Sequence, residues 1–193
     1  MSATPFRCGT IALIGRPNVG KSTLLNALLG QKLSITSRRP QTTRHALRGV
    51  LTTRTAQFIF VDTPGFQSRH RSALNRAMNR SVLGALESVD VTALVVEAAR
   101  FGAEDRALLK LAPPGSPLVL VVNKSDLTGD VPRVEEATVY LSALDGRGVD
   151  LLREQLYRLA GWDRSADGEN VFLARERHLQ ALVRALHAKR IRR

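Results

Sequence analysis

The apolar residues of this chain fall into short runs of strand length, separated by segments in which they repeat at helical spacing. Residues 89–96 and 118–122 are continuous runs rich in β-branched side chains, typical of parallel strands that helices cover on both faces. The other predicted strands are residues 10–14, 44–51, 57–61 and 136–141, and the predicted helices are residues 22–29, 72–88, 103–111 and 149–159. This alternation indicates one α/β domain.

Two parts of the chain lack the pattern of a strand or a core helix. Residues 31–43 have no amphipathic period and are expected to form an exposed loop, which at this length is usually functional. Residues 162–170 form a polar linker, and residues 171–193 are predicted to be a basic amphipathic helix with an apolar face available to a partner. We therefore expect a domain at residues 1–162, and a linker and helix at residues 163–193.

The composition suits a single domain in a reducing compartment. The chain has 193 residues, of which 44% are hydrophobic, and no apolar run approaches the length of a membrane-spanning helix. Residues 1–7 lack the pattern of a signal peptide, and the single cysteine excludes an internal disulfide, so a cytoplasmic location is expected. The four histidines show no spacing typical of metal ligands.

The charge of the chain is strongly positive and unevenly distributed. The net charge is +12, from 29 basic and 17 acidic residues, and no acidic residue precedes Asp62 whereas nine basic residues do. A second basic cluster lies in residues 184–193. Such a field favours anionic partners, RNA above all, although a solvated basic surface would look the same. Aromatic residues make up only 5% of the chain, which argues against a base-stacking platform.

Residues 15–23, Gly-Arg-Pro-Asn-Val-Gly-Lys-Ser-Thr, fit the pattern of a phosphate-binding loop between a strand and a helix. The two glycines permit close approach of backbone N–H groups to a phosphate, and the helix N-terminus adds partial positive charge. Lys21 is expected to reach the β- and γ-phosphates, and Ser22 to hold Mg²⁺. The alternative is a glycine-bounded turn that matches by chance. The expected nucleotide-binding residues here are Gly15, Asn18, Val19, Gly20, Lys21, Ser22 and Thr23.

Two later segments are candidates for sensing the γ-phosphate. Thr43, directly before Arg44, is expected to bring its hydroxyl to Mg²⁺ and its N–H to the γ-phosphate, with Thr42 as the alternative. Asp62 follows a predicted strand and is placed to help hold Mg²⁺, and Gly65 can offer its N–H to the γ-phosphate. Phe66 stands where some GTPases have a glutamine that orients water, so hydrolysis must use another device or be very slow.

Asn123, Lys124 and Asp126 form an Asn-Lys-x-Asp motif at the end of a predicted strand. A carboxylate at Asp126 can accept hydrogen bonds from N1–H and the exocyclic amine of guanine, donors that adenine lacks, so the motif favours GTP over ATP. Lys124 is expected to lie along the base, and Asn123 to brace the loops. Three further residues are expected at the base, with the Ala143 N–H donating to the guanine carbonyl: Ser142, Ala143 and Leu144.

These motifs in this order resemble a Ras-like P-loop GTPase of the translation-factor-related class. Residues 6 to about 110 are similar to the bacterial Era family, in the phosphate loop, in residues 34–37 and 41–45, and in residues 62–66. From about Pro117 onward the chain is more similar to the GTPase domain of the MnmE family, particularly in residues 126–142 and 172–182. The resemblance implies three layers, α/β/α, around a mostly parallel six-stranded sheet.

The resemblance also implies an activity and partners. It implies Mg²⁺-dependent hydrolysis of GTP to GDP, and a role as a switch in small-subunit ribosome biogenesis or in tRNA modification. Era proteins continue into an RNA-binding KH domain, which we do not expect in these residues. The alternative is a basic RNA-binding module that uses guanine nucleotide only as a switch or structural ligand.

The resemblance further implies that potassium supports hydrolysis. Asn18, in the phosphate loop, would contribute an amide oxygen to a K⁺ ion beside the nucleotide, and the loop before Thr43 would supply backbone carbonyls. The competing interpretation is that Asn18 only bonds its own loop, and that Arg38 or Arg39 acts as an arginine finger within a nucleotide-dependent homodimer.

Overall fold

The computed structural model describes residues 6–34, 46–54, 56–66 and 73–159. In these residues, seven strands and four α-helices follow one another along the chain. Their bounds are β1 Arg7–Ile14, α1 Lys21–Leu29, β2 Leu47–Thr52, β3 Ala56–Asp62, α2 Ala73–Leu86, β4 Val91–Glu97, α3 Ala103–Leu109, β5 Leu118–Asn123, β6 Arg133–Glu135, β7 Thr138–Tyr140 and α4 Val149–Leu159. A single 3₁₀ turn, Ser125–Leu127, follows β5.

The six predicted strands and the four predicted helices within these residues are confirmed, and the sheet has one strand more than expected. The additional strand is β6, which has three residues and pairs antiparallel with β7. Its residues are half-buried or exposed, so it has no apolar run from which to predict it. The linker and helix predicted at residues 163–193, and most of the loop predicted at residues 31–43, lie outside the described residues.

The strand order is β2-β3-β1-β4-β5-β7-β6. The five inner strands run parallel, and both edge strands, β2 and β6, are antiparallel to their neighbours. The carboxyl ends of β1, β3, β4 and β5 therefore lie at one edge of the sheet. Because β1 lies between β3 and β4, the chain order reverses at β1, and ligands of open α/β sheets bind in the crevice at such a point.

The sheet is covered on both faces, which gives the expected three layers. Successive residues of β1 point to opposite faces, so Ile11 and Leu13 belong to one hydrophobic cluster and Ala12 and Ile14 to the other. Helices α1 and α4 contribute leucines to the first cluster, and α2 and α3 contribute leucines to the second. None of the helices described here is long and apolar enough to cross a membrane.

The C-terminus of α1 is capped by a side chain from α4. Gly30 follows the helix in the left-handed conformation, with φ 68°. The Arg153 guanidinium donates to the carbonyl of Ala27 at 2.9 Å and to that of Leu28 at 2.6 and 3.2 Å. These carbonyls have no partner within the helix, so Arg153 both satisfies them and joins the two helices of one layer.

Candidate functional site

The phosphate loop predicted from the sequence connects β1 to α1 at the carboxyl edge of the sheet. Gly15 and Gly20 have φ of 157° and 99°, and Asn18, which is exposed, has φ 63°. A Cβ on Gly15 would lie 2.4 Å from the Val95 carbonyl oxygen. A Cβ on Gly20 would lie 2.3 Å from Nδ2 of Asn123. Both glycines are therefore required by close packing as well as by backbone conformation.

Lys21 is the first residue of α1 and is 7% exposed. Its Nζ donates to the carbonyl oxygens of Gly15 and Arg16, both at 3.0 Å. Burial lowers the pKa of Lys21 to about 8, and the nearby Asp62 carboxylate opposes this shift. The buried ammonium of Lys21 is thus held against the backbone of the loop, as expected for the lysine of a phosphate-binding loop.

Asp62 ends β3 and is fully buried. Its Oδ2 accepts hydrogen bonds from the Ser22 hydroxyl at 2.7 Å and from the Ser34 hydroxyl at 3.4 Å. Hydroxyl and carboxylate oxygens are the ligands that Mg²⁺ prefers, so this group fits the predicted magnesium site. Thr43, the third residue predicted for that site, lies outside the described residues, as does Thr42.

Ser34 was not expected in the site, and its position depends on Asn26 of α1. The Asn26 side chain accepts from the N–H groups of Leu33 and Ser34 at 2.9 and 2.8 Å and donates to the Ser34 carbonyl at 2.8 Å. Asn26 therefore sets where the chain leaves α1. In the sequence, this role of Asn26 is indicated only by its position within the Era-like residues. A single asparagine inside a helix forms no motif with a defined spacing.

The segment after Asp62 packs against the phosphate loop. The Phe66 N–H donates to the Gly15 carbonyl at 3.2 Å, and the Thr63 hydroxyl donates to the Leu13 carbonyl at 2.8 Å. A Cβ on Gly65 would lie 2.7 Å from the backbone nitrogen of Pro17, so only glycine fits there. This places Gly65 beside the phosphate loop, as expected for a residue that contacts the γ-phosphate.

Asn123, at the end of β5, connects three loops. Its Nδ2 donates to the Val19 carbonyl at 2.8 Å, and its Oδ1 accepts from the Ala143 N–H at 2.9 Å. These two bonds join the phosphate loop to the segment after β7, which is the geometry expected of a residue that braces the loops. The Ala143 N–H, expected to donate to the guanine carbonyl, is bonded to Asn123 here, so a bond to guanine would have to be shared with it.

The remaining residues predicted to bind guanine lie around the 3₁₀ turn. Oδ1 of Asp126 accepts from the Ser142 hydroxyl at 2.7 Å, which orients the carboxylate. Lys124 has φ 66°, and its Nζ lies 3.2 Å from Oε2 of Glu97, a residue that the sequence did not single out. Leu144 is 79% exposed, and Thr23 is half-buried in α1.

The chain matches the family model described as 50S ribosome-binding GTPase over residues 10–124. It is 58% identical over 130 residues to GTPase Era from Nitrosomonas eutropha, which covers 67% of this chain and 44% of that protein. It is 48% identical over 168 residues to GTPase Era from Bordetella pertussis, covering 81% of this chain and 57% of that protein. The chain thus spans about half the length of these curated relatives.

Solved structures of Era have the same fold. A complex of Era with MgGDPNP and nucleotides 1506–1542 of 16S ribosomal RNA aligns with a TM-score of 0.73 and 31% identity, covering 80% of this chain and 57% of that one. A variant of Era from Aquifex aeolicus bound to GDP and AlF4⁻ aligns with a TM-score of 0.74 and 30% identity, covering 83% and 61%. Similarity to Era thus extends beyond the first 110 residues.

Proposed function

The chain belongs to the family of 50S ribosome-binding GTPases, and on this premise we propose that it binds GTP and hydrolyses it to GDP and phosphate. One observation supports this above the others. Three segments at one edge of the sheet bring together a buried ammonium, Lys21, a buried carboxylate, Asp62, and the guanine-type motif that begins at Asn123. That arrangement matches the needs of a nucleoside triphosphate, which are charge neutralisation, a metal site and recognition of a base.

In the proposed reaction a water oxygen bonds to the γ-phosphorus, and the bond from that phosphorus to the bridging oxygen breaks, which leaves GDP and inorganic phosphate and releases a proton to solvent. Lys21 neutralises charge on the β- and γ-phosphates, and Gly65 donates its N–H to the γ-phosphate. Ser22 and Asp62, with Thr43, would hold Mg²⁺, which when bound neutralises charge on the phosphate oxygens. Phe66 has no side-chain group to orient the water, and its N–H is bonded to Gly15.

Base specificity tests the proposal directly. Calorimetric titration should show tight binding of GDP and at least about 10³-fold weaker binding of ADP, because adenine would leave the Asp126 carboxylate without its two donors. IDP, which lacks the exocyclic amine, should fall between the two. Comparable affinities for GDP and ADP would contradict the assignment of Asn123, Lys124 and Asp126 to guanine recognition.

We propose further that potassium takes the place of the missing glutamine, with Asn18 as a ligand. The left-handed φ of Asn18 places an exposed amide in the turn of the phosphate loop. A monovalent cation beside the phosphates would supply charge as an arginine finger does, an effect of about 10³–10⁵ in rate. GTP turnover should be faster in KCl than in NaCl at equal ionic strength, and Asn18→Ala should lose this difference.

The competing account assigns the charge to an arginine from a second copy of the chain. Arg38 and Arg39 lie outside the described residues, so the variants decide between the accounts. If Asn18→Ala keeps the potassium response, or if Arg39→Ala abolishes turnover at every salt composition, the potassium site is wrong. Turnover that rises with the square of protein concentration would favour a homodimer.

For the cellular role we propose RNA as the partner, in small-subunit ribosome biogenesis. Two observations support it: the net charge of +12, and a solved Era structure with 16S ribosomal RNA, about half of whose protein chain is matched here. The resemblance of the C-terminal part to the MnmE family makes tRNA modification the second candidate. We propose a cytoplasmic location for either role. GTP turnover with ribosomal subunits and with tRNA should separate the two. If the protein binds RNA but shows negligible GTP turnover under all conditions, the result would favour the alternative, a basic RNA-binding module that does not hydrolyse GTP.

A further inference from the structure

The side chain of Arg16 leaves the phosphate loop and reaches the connection between β4 and α3. Its Nε donates to Oδ1 of Asp105 at 2.7 Å, and its Nη2 donates to the Arg100 carbonyl at 2.6 Å. One planar guanidinium thus makes two charge-assisted hydrogen bonds in fixed directions.

Asp105 is fully buried, whereas the Arg16 side chain is 24% exposed. The second carboxylate oxygen, Oδ2, accepts the Gly102 N–H at 2.9 Å, at the start of α3. Both oxygens of a buried carboxylate are therefore used, one for the helix terminus and one for the phosphate loop. Removing Arg16 would leave Asp105 charged in a buried place without this cation, so the pair is held together strongly.

The β4–α3 connection is itself fixed to the guanine side of the site. The Ala98 N–H donates to the Asn123 carbonyl at 2.8 Å. Glu97 pairs with Lys124 at 3.2 Å. The connection is therefore a firm support for Arg16, and it joins the loops that would contact the phosphate and the base.

Within the phosphate loop, Arg16 is also part of the lysine's environment. Its carbonyl accepts one of the two hydrogen bonds from Nζ of Lys21, and the preceding carbonyl, of Gly15, accepts the other. A shift of the Arg16 backbone would therefore move the acceptors that set the position of Lys21. The same shift would move the N–H groups that follow in the loop.

We propose that Arg16 and Asp105 are positioning residues of the nucleotide site, which fix the phosphate loop in its binding conformation by joining it to the β4–α3 connection. The inference rests on the proposed function, because it concerns the same nucleotide site. The β-phosphate stays in place while the γ-phosphate is transferred. Loss of the pair should thus weaken binding of GDP and GTP alike and leave the chemical step nearly unchanged.

The test measures the Kd of GDP and the kcat of GTP hydrolysis for four variants of the pair and for one control variant. Arg16→Ala should raise the Kd about 10- to 100-fold, the range for misplaced positioning groups, while kcat at saturating GTP changes less than about threefold. Asp105→Asn keeps an acceptor for the Gly102 N–H and should raise the Kd in the same direction. The double variant should bind no more weakly than Arg16→Ala, because both changes remove one interaction.

The conservative variant Arg16→Lys keeps the charge but cannot donate from two fixed nitrogens, so its Kd should lie between those of the wild type and Arg16→Ala. Arg153→Ala is the matched control, because it removes an arginine that bonds backbone carbonyls at the other end of α1. It should lower the melting temperature and leave the Kd within about twofold.

The outcomes distinguish the inference from the function on which it rests. An unchanged Kd in Arg16→Ala and Asp105→Asn, or a rise in Kd that Arg153→Ala reproduces, would overturn the positioning role while GTP binding stands. No GDP binding by the wild-type chain would instead overturn the proposed function.

Discussion

Two influences act in opposite directions on the charge of Lys21. Burial lowers its pKa from 10.5 to about 8, and the Asp62 carboxylate opposes this shift. Bound phosphates would favour the ammonium further, so nucleotide binding should raise the pKa again. A residue with a pKa near 8 in the free protein is almost fully protonated at pH 7 and loses its proton just above the physiological range.

The affinity for GDP should therefore depend on pH. Below about pH 8 Lys21 already has its proton in the free protein, so its contribution to affinity is constant. Above about pH 8 binding must take up a proton, so the affinity should fall as the pH rises, by up to about tenfold per pH unit. Titrations between about pH 7 and pH 9 measure this. Lys21→Ala should bind more weakly and lose this dependence; an equal slope in both proteins would contradict the assignment.

Ala99 adopts a conformation that suits glycine better. It has φ 63°, in a turn closed by the Arg100 N–H donating to the Glu97 carbonyl at 3.1 Å. A Cβ in the left-handed region costs about 1–2 kcal/mol. Ala99→Gly should therefore raise the free energy of unfolding by about 1 kcal/mol, measured by urea denaturation. Ala107→Gly, on the exposed side of α3, is the control and should lower it by about 1 kcal/mol.

At the scale of elements, the cap that Arg153 gives to α1 makes a larger contribution than a surface ion pair. Arg153 bonds two backbone carbonyls from a partly buried position. Arg158 pairs with Glu154 at 2.9 Å, where both side chains are more than 60% exposed. Solvent screens the second pair, whereas loss of the first leaves helix carbonyls without a partner.

Arg153→Ala should therefore lower the free energy of unfolding by about 1–3 kcal/mol. Arg158→Ala, on the same helix, should change it by less than about 0.5 kcal/mol. Thermal and urea denaturation of both variants measure the difference. Equal losses would show that Arg153 acts only as a surface charge.

The sequence predicted the elements that have long apolar periods and missed contacts that depend on tertiary structure. The bounds predicted for α4 agree with the structure, because its leucines repeat over eleven residues. β6 was missed because it depends on its neighbour: Arg133 pairs with Tyr140 and lies 3.7 Å from the centre of its ring. The pairing of these two residues leaves no pattern along the chain from which β6 could be predicted.

The same limit holds in the site. Asn123 and Asp62 could be predicted, because their motifs have a fixed spacing from the ends of strands. The bond from Arg16 to Asp105 spans 89 positions and follows from the packing of α3 against β4. A carboxylate three residues after Gly102 is typical of a helix N-terminus, but no pattern along the chain connects Asp105 with Arg16.

At the scale of the whole molecule, the charge determines how partners approach. The net charge of +12 includes exposed arginines on β2, on the β2–β3 turn and on α2, namely Arg48, Arg54, Arg76 and Arg80. Contacts of such residues with phosphates would release counterions, so the proposed binding of RNA should depend steeply on salt. A basic surface that is only solvated, and makes no contact with RNA, would show no such dependence of RNA binding on salt.

Filter binding across salt concentrations tests the RNA partner. With RNA of nucleotides 1506–1542 of 16S ribosomal RNA, the segment in the Era complex, log K should fall linearly with log salt. The expected slope is about −0.7 for each phosphate neutralised. Poly(U) of equal length should show a similar slope if recognition is electrostatic alone. A flat slope with both RNAs would leave the basic surface without an RNA partner.

The central position of β1 affects how the chain can fold during its synthesis. β1 is made first, but its partners are β3, which begins about 50 residues later, and β4, which is later still. At about 5–20 residues per second a ribosome needs about 2.5–10 s to make that stretch. Throughout this time Ile11 and Leu13 have no strand to pair with, and the phosphate loop has no fixed start. Nascent chains should therefore expose this segment to chaperones until β3 and β4 have been made, and Asn123, at the end of β5, is made later still.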